Sequence, residues 1–175
     1  LPLNIMVFAR LSELEMKLSL KTILLLTTLL STGAWTDESP FKISVETLMT
    51  KASSTGDASY LSMASLRCAA LLNTYLTLAA TYTDATNDGT VTQNLFKLGV
   101  TIAAQKMTEH GAEQKMIDMI WEKAEADLQS DSLKYWEWLK DNKESTGDYF
   151  STAPTFQREL EQCNMLYSMG QSNNN

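Results

Sequence analysis

The sequence predicts an all-α fold, a small bundle of about four to six helices stapled by one disulfide. Three observations lead there. Leu61, Ala64, Cys68, Leu71, Tyr75, Leu78 and Tyr82 recur at spacings of three and four, which is one continuous helix face. No stretch of useful length alternates apolar and polar side chains as a half-buried strand does. The two cysteines, Cys68 and Cys163, fall on the apolar stripes of two different helical segments, so a bond between them joins the first long helix to the last.

Residues 16–34 read as a secretory signal. Lys17 and Lys21 flank the start, Ile23 to Leu30 form a short apolar run, and Ser31, Thr32, Gly33 and Ala34 are small. The run is shorter than the roughly 20 apolar residues that span a bilayer, so the expectation is cleavage near Ala34 and no stable membrane anchor afterwards. Residues 1–15 carry Glu13 and Glu15 where such a signal needs positive charge, and are taken as an upstream extension ahead of Met16. The mature chain is then one all-α domain over residues 35–170, soluble and exported, with a polar tail at 171–175. An oxidising compartment favours pairing of Cys68 with Cys163.

Each element follows from its local signals. Pro40 discourages a helix through Ser39. Ser44 offers an N-cap to a short helix carrying Val45, Leu48 and Met49 and ending near Lys51, and Ser53 to Asp57 reads as a turn. The long amphipathic helix occupies about Asp57 to Tyr82, and Asp84, Asn87, Asp88 and Gly89 interrupt the pattern after it. Val91, Leu95, Leu98 and Ile102 open the next helix, which continues through Met107, Met116, Ile117, Ile120, Trp121, Ala124 and Leu128. Gly111 either bends it or divides it, because the cost of a mid-helix glycine, about 1 kcal/mol, does not choose between the two. Leu133, Trp136 and Leu139 predict a short separate helix ending at a polar turn, Asp141 to Gly147. Pro154 opens the last helix, where Phe156, Leu160, Cys163 and Tyr167 share a face.

Charge and composition narrow the function. Fourteen Lys and Arg stand against 21 Asp and Glu, a net charge of −7, and loss of residues 1–34 deepens the acidic excess by one. Without a basic run, the electrostatic term behind nucleic-acid affinity is missing, so nucleic acid is not an expected partner. One His and two distant Cys do not complete a zinc site. No phosphate-binding glycine loop or Ser-His-Asp set is present, and no cofactor is expected.

Three local features could carry chemistry. The loop from Asp84 partly resembles an EF-hand calcium loop, with Asp84, Asp88 and the Thr90 carbonyl at its first, fifth and seventh positions and Gly89 at its sixth. Thr86 and Leu95 replace two of that motif's strong oxygen ligands. His110 lies near Glu109 and Glu113 on a predicted helix, where the two carboxylates, four apart, share a face and His110 is three from Glu113, a set that could hold acid–base or metal chemistry. Trp121, Tyr135, Trp136 and Trp138 concentrate large rings in one region, and Tyr135, Trp136 and Trp138 are the candidate binding residues. Trp136 and Trp138 diverge by about 200° around a helix, so one of them is expected to be exposed and to anchor a partner. The expected function is therefore non-enzymatic binding of a protein or cell-envelope component. The alternative is a carboxylate-dependent hydrolase acting on envelope glycan, which needs two carboxyls converging in a cleft.

Overall fold

A computed structural model describes residues 39–82, 89–150 and 153–172. The 16–34 signal, the extension before it, the two calcium-loop aspartates Asp84 and Asp88, and the end of the tail lie outside the described residues. The described chain forms five α-helices and no strand: α1 (Val45–Thr55), α2 (Ala58–Tyr82), α3 (Thr90–Glu109), α4 (Gln114–Thr146) and α5 (Pro154–Ser172).

The local signals explain where these helices begin and end. Ser44 caps α1 by accepting a hydrogen bond from the Thr47 backbone N–H at 3.2 Å. Helix α1 runs a turn further than expected, because Ser53 and Thr55 return their hydroxyls to carbonyls of the same helix rather than forming a turn. Between α3 and α4 the chain breaks at Gly111, whose φ of 76° places it in the left-handed region that an L side chain resists. There the Ala112 N–H bonds back to the Met107 carbonyl at 3.0 Å, satisfying the end of α3 in the manner of a left-handed C-cap. Glycine chemistry therefore ends one helix and lets the next reverse direction.

Helix α4 corrects the expectation of a separate short helix at residues 133–140. It is continuous for 33 residues, about 50 Å, and ends at Gly147 rather than at Asp141. The polar stretch Ser130-Asp131-Ser132 suggests a break, yet neither Gly nor Pro interrupts it, and its propensity cost is a few tenths of a kcal/mol per residue. Ser132 marks a helix crossing instead. Its small side chain lets α4 approach α2, where Thr74 Oγ1 donates to the Ser132 carbonyl at 3.0 Å and Ser132 Oγ donates to the Ala70 carbonyl at 3.3 Å.

Helix α2 is the hub and packs against all four other helices. Its closest approach is to α3 at Gly99, where an added Cβ would lie 2.7 Å from Leu66 Cγ and 3.1 Å from the Ser62 carbonyl. The Ser62 hydroxyl uses that proximity to donate to the Gly99 carbonyl at 2.8 Å. On the other side, Cys68 is bonded to Cys163 of α5, with Cα atoms 5.3 Å apart and both residues fully buried. The core then continues through aromatic rings. Tyr75, Phe150, Phe156, Trp138, Tyr135 and Phe41 form a chain of ring contacts with centroids 5.0–6.4 Å apart. Arg67 lies over the outer face of Phe41 and donates to the Ile43 carbonyl, which fastens the segment before α1 onto α2. Among the described residues no helix is long and apolar enough to cross a membrane.

Candidate functional site

The candidate binding residues divide between core and surface in a way the sequence does not show. Tyr135 is fully buried, with its hydroxyl donating to Glu159 Oε2 at 2.6 Å. Trp138 is 8% exposed, on Tyr135 and Phe156. Neither ring presents a face to a partner. Trp136 does point away from Trp138, but it is half-buried rather than exposed, because Tyr149 covers it with ring centroids 6.2 Å apart. That cover depends on Asn142. Its buried amide donates to the carbonyls of Asp148 and Tyr149, both at 2.9 Å, and folds the chain after α4 back along the helix. The expectation of an exposed member of the Trp136/Trp138 pair is corrected accordingly.

The other two features are also resolved in part. Thr90 is the first residue of α3, and Leu95, at the position where an EF-hand loop ends in its bidentate Glu, is buried in the core. The break at residues 110–113 removes the shared helix face of Glu109 and Glu113. Glu109 ends α3, Glu113 precedes α4, and His110 between them is exposed.

Trp121 is the exposed tryptophan among the described residues, at 44%. It lies in the first half of α4, beside Phe96 of α3. Between residues 113 and 130 only Ala124 is buried, whereas Tyr135, Trp138, Leu139 and Asn142 are buried further along the same helix. The Trp121 ring meets Phe96 of α3 edge-on, with centroids 5.3 Å apart and planes at 88°, and its indole N–H donates to Glu125 at 2.8 Å. These contacts hold the ring in one orientation while leaving part of it open to solvent.

Beside it runs a groove of about 730 Å³ between α3 and α4. Val100 and Ala104 supply one apolar wall, Ile117 and Trp121 the other, while Glu109 and Asp118 stand at its edge. No Lys or Arg is among its lining residues. The nearest cation in α3 toward the turn, Lys106, is held away by an ion pair with Asp57 at 3.1 Å. Met116 and Met119, 49% and 57% exposed, lie around α4 on the side away from Asp118 and do not line the groove. A second, smaller hollow between α1 and α5 is lined mostly by polar side chains, including Glu46, Thr50, Ser53 and Gln162.

The sequence signal for this surface is partial. Ile117, Ile120, Trp121 and Ala124 form the apolar stripe of α4, but their spacing does not say how much of that stripe a neighbour covers. No protein-family model, curated protein sequence or solved structure matches the chain.

Proposed function

We propose that the protein is an exported, non-enzymatic binding module whose recognition surface is the groove between α3 and α4. The exposed, pre-oriented indole of Trp121 carries this reading, since a large ring held in place and open to solvent buries much area at little entropic cost when a partner arrives. Export is supported by the basic, apolar and small order of residues 16–34 and by the bonded pair Cys68–Cys163, which suits an oxidising compartment. The partner is a protein or cell-envelope component. Glycan hydrolysis is less well supported, because Glu109 and Asp118, the carboxylates at the groove, are both exposed, whereas a general acid of that chemistry relies on burial to hold its proton.

The test compares full-chain protein carrying Trp121→Ala with wild type and with Trp136→Ala. Each is immobilised and exposed to envelope and secreted fractions of the source cells. Trp121→Ala is expected to keep its melting temperature within a few degrees and to lose most of the captured material, while Trp136→Ala retains it. Equal capture by wild type and Trp121→Ala contradicts the proposal. Expression from Met16 tests export separately, with a mature N-terminus expected between Ala34 and Asp37 by mass spectrometry.

A further inference from the structure

Resting on the groove as the recognition surface, we infer that its partner is a cationic amphipathic helix from another polypeptide. Shape is the first consideration. The α3 wall from Val100 to Glu109 is about 14 Å long, room for about two and a half helical turns. Two helices in contact along one side leave a channel that a third helix fills with apolar residues at i, i+3, i+4 and i+7. Between residues 113 and 130 only Ala124 of α4 is buried, so an incoming helix would cover a stretch of α4 that the other helices leave largely open.

Charge selects the sign of the partner. Val100, Ala104, Ile117 and Trp121 give the groove its apolar area beside the polar Thr101, Gln105 and Thr108, its charged lining residues are the carboxylates Glu109 and Asp118, and Glu125 adds a third beside Trp121. Lys106 is paired with Asp57, and the exposed Lys115, three residues before Asp118, is outnumbered by these three carboxylates. A helix with Lys or Arg flanking its apolar stripe meets that rim favourably, whereas a second copy of this acidic chain, an anionic lipid surface or a nucleic acid meets like charge. The apolar residues supply the contact area, and the rim fixes orientation and favours association with cations.

The experiment measures binding of a fluorescently labelled synthetic helix of Leu and Lys, with Leu at i, i+3, i+4 and i+7, to the full chain. Matched peptides carry Gln or Glu in place of Lys. The Lys peptide is expected to bind one to one, with affinity falling about tenfold or more at high salt and in the triple variant Glu109→Gln/Asp118→Asn/Glu125→Gln. Neutralising remote acids, in Glu46→Gln/Glu161→Gln, is expected to leave affinity unchanged, and melting curves check that both variants fold. Equal binding of the Gln peptide, or equal weakening by the remote variant, overturns the cationic assignment. Failure of every peptide also overturns it, and so does concentration-dependent dimerisation that Trp121→Ala abolishes, which would make a second copy the occupant. The groove as a binding surface is judged independently by capture of envelope material with and without Trp121.

Discussion

The hydroxyl of Tyr135 donates to Glu159 Oε2 at 2.6 Å, and because both residues are buried this bond joins α4 to α5 inside a largely apolar and aromatic core. Burial pushes the Tyr135 hydroxyl well above the usual tyrosine range, and the Glu159 carboxylate beside it adds to the shift. The other carboxylate oxygen, Oε1, has no hydrogen-bond partner among the described residues, so Tyr135 is the group that satisfies Glu159. Tyr135→Phe is expected to cost about 1–3 kcal/mol near neutral pH, measured by denaturant titration. A raised tyrosine pKa stabilises the fold fully below about pH 10 and loses that contribution as pH rises through the folded value. The gap between variant and wild type should therefore narrow in strong alkali. A gap that stays constant there would show that Tyr135 ionisation is not linked to folding.

On the acid side the corresponding group is Asp57. Its carboxylate accepts from the Ser59 backbone N–H at 3.0 Å and pairs with Lys106, which tethers the start of α2 to the end of α3 beside the groove. These bonds, the backbone one foremost, lower its pKa from 3.8 to about 2. A depressed carboxylate pKa contributes stability above the unfolded value and loses it as pH falls toward the folded one. Carboxyl titration by NMR should give Asp57 a midpoint near the lower value, and Asp57→Asn should flatten the decline in stability between pH 3.8 and about 2. A midpoint at the ordinary aspartate value would remove the tether.

The Cys68–Cys163 bond closes a sequence separation of 95 residues. In the chain-entropy account such a link is worth roughly 4–5 kcal/mol, comparable to the net stability of a small domain. Reduction, or the double variant Cys68→Ala/Cys163→Ala, should lower the melting temperature by well over ten degrees, and the native protein should resist alkylation until reduced. Thiols that alkylate freely in the native state would refute the pairing.

The two tryptophans of α4 that differ most in burial should respond in opposite ways. Trp138→Ala opens a cavity among Tyr135 and Phe156 and is expected to cost about 3–5 kcal/mol. Trp121→Ala removes a half-open ring at the surface and should change stability by about 1 kcal/mol or less. Equal losses would place Trp121 in the core and leave the groove without its anchor.

Much of this architecture is legible in the sequence where one residue's chemistry decides the outcome. Ser44 caps, Pro154 starts, and the three-and-four spacing from Leu61 onward identifies α2 because these signals act within a few residues. Cys68 and Cys163 are legible as a pair because no third cysteine competes. What fails depends on neighbours distant in sequence. The segment from Leu133 reads as a separate helix until α2 is seen to meet Ser132 within a continuous α4, and one of Trp136 and Trp138 looks exposed until Asn142 folds Tyr149 over Trp136. The groove was hidden for the same reason. Helical periodicity assigns Ile117, Trp121 and Ala124 to an inward face without stating how much of that face is covered.

A cationic helix seated in the groove between α3 and α4 has a residue-by-residue signature in an NMR titration of isotopically labelled protein with the Leu/Lys peptide. Backbone and indole signals of Val100, Ala104, Ile117, Asp118 and Trp121 are expected to shift together and saturate, while those of Val45, Leu48 and Leu166, in the packed core around α1 and α5, stay in place. Shifts that spread over acidic surfaces throughout the molecule, or that bypass Trp121, would contradict the claim.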